Sequence, residues 1–282
     1  MVIFVFMKFF KSVLAFYLES SIHVSFAVLA FTVATFFEFQ LPMERFVLGY
    51  VFFGTITGYN FIKYAGIAGE HHRSLAKNLQ LIQLFSFLCF GFFLFFLFQI
   101  SRNVLFVSLA FGIVTLLYIL PFYGKKNLRS FHGLKVFIVA FVWAGTTVIL
   151  PCIATESSWN TDWSLTFFQR FLWVLVLIIP FEIRDLAYDD NALGTLPQKL
   201  GVKKAKGLGL VFLVAVLFLE GLKDEINGLF FVSFFLAVIS TGIFLVVSKK
   251  NQTKYFSSFW VEGIPIFWMG FWLLMHHYFF IS

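Results

Sequence analysis

The stretch that decides the fold is LTFFQRFLWVLVLIIPFEI (Leu165–Ile183), followed at once by RDLAYDDNALGTLPQKLG (Arg184–Gly201). The first segment is almost entirely apolar, has no alternating polarity and is too long for a strand. A helix rises about 1.5 Å per residue, so about 20 apolar residues cover the ~30 Å hydrocarbon core of a bilayer. The stretch therefore predicts a membrane-spanning helix with a polar segment at its end.

Eight further apolar runs have a similar length, so the sequence predicts an all-α integral membrane protein with nine transmembrane helices. The other runs are Ile22–Phe37, Phe46–Ile62, Leu79–Ile100, Val104–Phe122, Leu134–Ile153, Gly207–Leu222, Ile226–Val247 and Phe259–Phe280. Residues 1–20 hold Lys8 and Lys11 on one helical face, which favours an interfacial amphipathic segment. Residues 21–282 are expected to form a single transmembrane domain.

The composition excludes several classes of protein. Of 282 residues, 60% are hydrophobic and 12% are charged, whereas soluble chains carry about 25% charged residues. A nucleic-acid binder, a disordered protein and a secreted disulfide scaffold are therefore not expected, and the lipid bilayer is the expected environment. Cys89 and Cys152 lie in apolar runs and are interpreted as packing residues.

The basic residues predict the orientation. With nine spans, 17 of the 21 Lys and Arg residues fall on the side of the N-terminus, and the exceptions are Arg45, Arg102, Arg170 and Lys223. Because Lys and Arg are enriched in cytoplasmic loops, the N-terminus is expected to be cytoplasmic and the C-terminus outside.

Acidic residues after the sixth span are candidates for a cation site. Asp185 and Asp189 are four residues apart and would share one helix face, while Asp190 is turned by about 100°. Two carboxylates suit Mg²⁺, which completes its shell with water and phosphate; the alternative is a solvated acidic helix end. Glu262 is either a functional intramembrane acid or a side chain that reaches the interface. Asn60 is either a substrate contact or an inter-helix hydrogen bond.

Several of these patterns resemble one known family. Asp185-x-x-x-Asp189 followed by Thr195-Leu-Pro, and the segment YILPFYGKKNLR (Tyr118–Arg129), are similar to motifs of the UbiA superfamily of intramembrane prenyltransferases. The resemblance implies a UbiA-like helical bundle around a central cavity. It also implies that Mg²⁺ is bound by Asp185, Asp189 and Asp190. The diphosphate would be bound by Lys63, Lys125, Lys126 and Arg129, and Asn60 would lie in the substrate pocket.

The chain departs from the family at the first aspartate motif. Asn60 matches the leading asparagine, but Phe61, Tyr64 and Ala68 occupy the aspartate positions, and Lys63 adds a positive charge. Lys63 is expected to replace part of the missing metal charge, although an ammonium group cannot bridge two phosphate oxygens as a metal does.

The resemblance implies transfer of a prenyl group from a prenyl diphosphate to an aromatic or lipid-like acceptor, and no general base is identified. The first alternative is a non-catalytic relative that binds an isoprenoid lipid or a membrane partner, which the lost aspartates favour. The second alternative is a transporter, although the charges cluster at one membrane face rather than near the midplane.

Overall fold

A computed structural model describes residues 2–64, 76–119, 133–156, 159–187 and 194–280. Its regular elements in these ranges are helices. They are α1 (Val2–Glu19), α2 (Ile22–Glu38), α3 (Arg45–Tyr64), α4 (Ala76–Leu97), α5 (Arg102–Ile119), α6 (Leu134–Ala144), α7 (Leu150–Ala154), α8 (Thr161–Asp185), α9 (Leu196–Leu200), α10 (Val202–Glu220), α11 (Gly228–Val247) and α12 (Ile264–Phe280).

Each of the nine predicted runs overlaps a helix in the described residues, but the prediction of nine transmembrane helices is not confirmed. Within the described ranges five helical segments are long and apolar enough to cross a membrane, and a sixth results if α1 and α2, bent by 56°, count as one broken span. The five are Leu79–Leu97, Leu134–Ala154, Thr161–Asp185, Gly228–Val247 and Phe256–Tyr278. The other helices are shorter or contain charged residues, such as Arg45 and Lys63 in α3.

Two spans contain π-helical turns, where one extra residue per turn changes the direction of the following side chains. One turn, Gly145–Ile149, joins α6 to α7, and the other, Phe256–Val261, precedes α12. A Cβ atom on Gly145 would lie 2.0 Å from the Phe111 ring, so glycine allows α5 to pack closely there.

The core surrounds α8, which packs against α6, α10 and α11, while α2 packs against α3 and α12. The fully buried Trp173 contacts Phe31 and Trp268 edge-on or tilted, and its indole N–H donates to Thr241 Oγ1 at 2.9 Å. Large apolar side chains on α4, α5, α10 and α11 are exposed, such as Phe87, Phe106, Val214 and Ile243. An exposed apolar surface of this extent is typical of contact with lipid or another apolar partner.

Polar residues lie at the two ends of α2. The motif end contains Ser21, Lys63, Arg184, Asp185 and Glu262, which are linked by contacts given below. The network end contains Glu38, Thr166, Gln169, Glu220 and Lys223. The 17 residues of α2 separate the ends by about 25 Å at 1.5 Å per residue.

Candidate functional site

The end of α3 is tied to the turn between α1 and α2. Asn60 Nδ2 donates to the Ser20 carbonyl at 3.0 Å, and Lys63 Nζ donates to Ser21 Oγ at 2.9 Å. The Tyr64 hydroxyl donates to the Glu19 carbonyl at 2.9 Å. Three residues of the altered first motif therefore hold three consecutive residues of this turn. Local sequence patterns could not reveal these contacts, because the partners are 40 to 45 residues apart.

Asn60 is fixed in one orientation. Its Nδ2 also donates to Ser86 Oγ at 2.8 Å, and the Ser86 hydroxyl donates to the Ile82 carbonyl. Asn60 is 2% exposed, and its Oδ1 has no partner among the described residues. Both interpretations of Asn60 from the sequence stay open: the inter-helix hydrogen bond is present, and one buried acceptor is unused.

At the end of α8, Asp185 is bound by the neighbouring arginine. Arg184 Nε and Nη2 donate to the two carboxylate oxygens of Asp185 at 2.7 and 3.1 Å. Arg184 Nη1 donates to Ser258 Oγ at 3.1 Å, which connects α8 to the π-helical turn before α12. The predicted ligands Asp189 and Asp190 lie outside the described residues, as do Lys125, Lys126 and Arg129 of the predicted diphosphate loop.

Glu262 lies directly after the Phe256–Val261 turn and is half-buried. Its carboxylate interacts electrostatically with Lys63 of α3 and Arg184 of α8. It also acts on Tyr17 of α1 and Tyr59 of α3. Charged and aromatic side chains from three helices, α1, α3 and α8, therefore interact with this carboxylate. No ion pair within 4 Å of Glu262 is present in the described part of the chain.

His23 holds the backbone beside Glu262. Its Nδ1 accepts from the Tyr17 hydroxyl at 2.9 Å, and its Nε2 donates to the Phe259 carbonyl at 2.9 Å. A Cβ atom on Gly263 would lie 2.5 Å from that carbonyl and 3.2 Å from His23 Nε2, so this contact requires glycine. The position of Glu262 is thus set by α1, α2 and the π-helical turn together.

The described residues do not fit the metal site that the resemblance implies. Of the first-motif aspartate positions, Phe61 is 51% exposed and Tyr64 is bonded to the α1–α2 turn, while Ala68 lies outside the described residues. Both oxygens of Asp185 accept hydrogen bonds from Arg184. Over the described ranges, no group of three His, Cys, Asp or Glu side chains could hold a metal ion. The donor set at the end of α3 is instead an ammonium group and an amide.

The network end holds a buried charge cluster that the sequence did not indicate. Lys223 Nζ lies 2.5 Å from both Glu38 Oε1 and Glu220 Oε2 and donates to Gln169 Oε1 at 3.1 Å. Burial alone would lower the pKa of Lys223, but the carboxylates of Glu38 and Glu220 outweigh it and raise the pKa above 10.5. The cluster joins α2, α8 and α10.

A buried arginine lies beside this cluster. Arg170 donates through Nη1 to the Phe31 carbonyl at 2.8 Å, and its guanidinium carbon lies 4.2 Å from the centre of the Phe31 ring. Glu38 and Glu220 are the charges that act on it. Two carboxylates, Lys223 and Arg170 together make the network end electrically neutral.

Comparison of the whole structure with known proteins identifies two similar solved structures. The first is the apo structure of a UbiA homolog from Aeropyrum pernix K1, with 16% identity, a TM-score of 0.65, and coverage of 90% of this chain and 97% of that chain. The second is from a study of digeranylgeranylglyceryl phosphate synthase in membranes, with 16% identity, a TM-score of 0.53, and coverage of 94% and 96%. No family model and no curated protein matches the sequence. The predicted resemblance is confirmed at the level of the fold: this chain has the fold of the UbiA homologues.

Proposed function

We propose that the protein binds the diphosphate of a prenyl diphosphate at the motif end and transfers the prenyl group to an aromatic or lipid-like acceptor inside the membrane. The observation that supports this most is that Lys63 of α3 and Arg184 of α8 are both held at the motif end. Lys63 donates to Ser21 Oγ at 2.9 Å. Arg184 donates to Ser258 Oγ at 3.1 Å, four residues before Glu262. A polar cluster at one end of an apolar bundle suits a ligand with an anionic head and a lipid tail, which supports this proposal.

The chemistry follows from the groups at that end. The carbon–oxygen bond to the diphosphate breaks, the leaving group takes the electron pair, and positive charge nearby stabilises it. The allylic cation that remains is stabilised by aromatic faces, and exclusion of water protects it until the acceptor attacks. Tyr59 is one aromatic residue at this end. Its hydroxyl accepts a hydrogen bond from Trp143 Nε1 at 2.7 Å, and it interacts electrostatically with Glu262.

Magnesium binding by Asp185, Asp189 and Asp190 stays a prediction of the sequence. In the described part of the site Asp185 is paired with Arg184, and no step above depends on a metal. The roles of Lys125, Lys126 and Arg129 likewise stay predictions. The same is true of the interfacial position of residues 1–20 and the single domain of residues 21–282. A cytoplasmic N-terminus and an outer C-terminus also stay proposals.

A second candidate function is binding of an isoprenoid lipid without turnover. It is favoured by Phe61 and Tyr64, since one is exposed and the other anchors the α1–α2 turn where the family has aspartates. Both functions use the same end of the bundle.

The two functions are separated by incubating the full chain, purified into lipid nanodiscs, with labelled prenyl diphosphates and a set of quinone-type and glycerol-lipid acceptors. Release of pyrophosphate with a prenylated product supports the transferase. Saturable binding without pyrophosphate release supports the non-catalytic alternative, and no saturable binding contradicts both.

A further inference from the structure

Lys63 lies between Phe61 and Tyr64, two of the positions where the family has aspartates. Its ammonium group donates one hydrogen bond to Ser21 Oγ at 2.9 Å, which leaves two of its three protons for other acceptors. The Lys63 side chain is exposed, so a ligand can reach these protons. The Ser21 contact fixes the position of a cation that would otherwise be mobile on its four-carbon chain.

Lys63 and Glu262 interact electrostatically with each other, and the other charges that act on them are already paired elsewhere. Glu262 and Glu19 are the carboxylates that act on Lys63, but Glu19 is already paired with Lys254 at 3.6 Å. Lys63 and Arg184 are the cations that act on Glu262, but Arg184 is already bound to Asp185. Neither Lys63 nor Glu262 therefore forms an ion pair within 4 Å with any described residue.

A charge pair held apart in this way can exchange partners. Opposite charges attract over several ångströms where the effective dielectric is low, so Glu262 stabilises Lys63 while the site is empty. A phosphate group that binds Lys63 directly gains a charge-assisted hydrogen bond, but it meets repulsion from the Glu262 carboxylate. Glu262 therefore lowers the affinity of the site for anions.

We propose that the motif end contains a metal-independent site for a phosphate or diphosphate group, in which Lys63 is the binding cation and Glu262 is the resident counter-ion that the ligand displaces. The inference rests on the proposed function for the location of the ligand, and it adds how the headgroup charge is neutralised. It goes beyond the fold family, because a side-chain cation takes the place of metal on the α3 side.

The test measures binding of labelled geranylgeranyl diphosphate to the full chain in nanodiscs of zwitterionic lipid, with either Mg²⁺ or excess EDTA. We expect the two dissociation constants to agree within about threefold. Lys63→Met should weaken binding by at least about tenfold, and Lys63→Arg should retain most of it. Glu262→Gln should tighten binding by about tenfold, a gain that misfolding cannot produce.

Matched variants at exposed positions control for net charge. Lys250→Met and Glu225→Gln change the same charges at exposed side chains and should leave affinity within about twofold. Inorganic pyrophosphate distinguishes the source of the anion. If it displaces the label, the headgroup is sufficient for binding; if it does not, a lipid tail is also required. Either pyrophosphate result supports the proposal if the labelled lipid still binds in EDTA. If the labelled lipid does not bind in EDTA, the proposal is overturned.

The outcomes separate this inference from the proposed function. Binding that needs Mg²⁺, together with product formation, overturns the metal-independent site and leaves the transferase intact. Binding in EDTA without product in any buffer supports the site and contradicts the transferase. Unchanged or weaker binding by Glu262→Gln overturns the counter-ion role, and no binding in either buffer overturns both proposals.

Discussion

Replacing Lys223 by methionine removes the cation of the network end and keeps a side chain of similar length. The amine lies 2.5 Å from Glu38 and from Glu220, and the side chains of Lys223, Glu38 and Glu220 are 2%, 8% and 4% exposed. Water therefore cannot replace the ammonium group at either carboxylate.

The size of the effect follows from this burial. Removing one partner of a buried ion pair costs about 3–5 kcal/mol, and here one ammonium group serves two carboxylates. Thr166 Oγ1, which donates to Glu38 at 2.7 Å, and Gln169 Nε2, which donates to Glu220 at 2.9 Å, remain. We expect Lys223→Met to lower the free energy of unfolding by about 4–5 kcal/mol.

The assay is unfolding by denaturing detergent, followed by near-ultraviolet circular dichroism of the buried tryptophans. Lys250→Met, at an exposed lysine, is the matched control and should change the free energy by less than about 0.5 kcal/mol. Adding Glu220→Gln to Lys223→Met should recover part of the loss, because one uncompensated carboxylate becomes neutral. A loss below about 1 kcal/mol for Lys223→Met, or no recovery in the double variant, would show that the cluster does not carry the stability assigned to it.

Three further predictions use the same protein. Because the pKa of Lys223 is raised above 10.5, its stabilising contribution is fully present below pH 10.5 and is lost as pH rises through the raised value. The difference in free energy of unfolding between wild type and Lys223→Met should therefore stay constant up to that pH. A difference that already shrinks near pH 8 would contradict this. Asn60→Ala removes hydrogen bonds to Ser20 and Ser86 and should cost about 1–3 kcal/mol in the detergent titration, whereas a neutral result would mean that these bonds are not formed. Tyr64→Phe removes one bond to Glu19, so trypsin should cleave α1 severalfold faster than in wild type, and an unchanged cleavage rate would show that this bond does not hold α1.

The sequence predicts the helices well because apolar length determines them. The run Ile22–Phe37 is found as Ile22–Glu38, and Leu165–Ile183 lies inside Thr161–Asp185. Hydropathy does not reveal the π-helical turns, since Gly145–Ile149 (GTTVI) lies inside a longer, predominantly apolar run. The count of nine spans stays a prediction, because α3 and α10 are apolar in the middle but carry basic residues near at least one end.

The site residues that short motifs indicate stay predictions, and contacts between distant residues could not be predicted from the sequence. Asn60, Lys63 and Asp185 are recognisable from short spacings, and Lys63 and the Arg184–Asp185 pair lie at the same end of the bundle. The partners Ser20, Ser21 and Glu262 come from other helices, so spacing could not reveal them. Glu38, Glu220 and Lys223 likewise meet only through the tertiary fold. The roles of Asp189, Asp190, Lys125, Lys126 and Arg129 stay predictions, since they lie outside the described residues.

The most direct measurement is an experimental structure of the full chain in nanodiscs with a non-cleavable prenyl thiodiphosphate. We expect the phosphate oxygens within about 3 Å of Lys63 Nζ, with the prenyl chain running into the apolar bundle. A diphosphate bound away from Lys63, for example at the network end, would contradict the assignment of the motif end as the binding site. The same holds for a diphosphate in the apolar groove that Leu213 of α10 and Ile239 of α11 line.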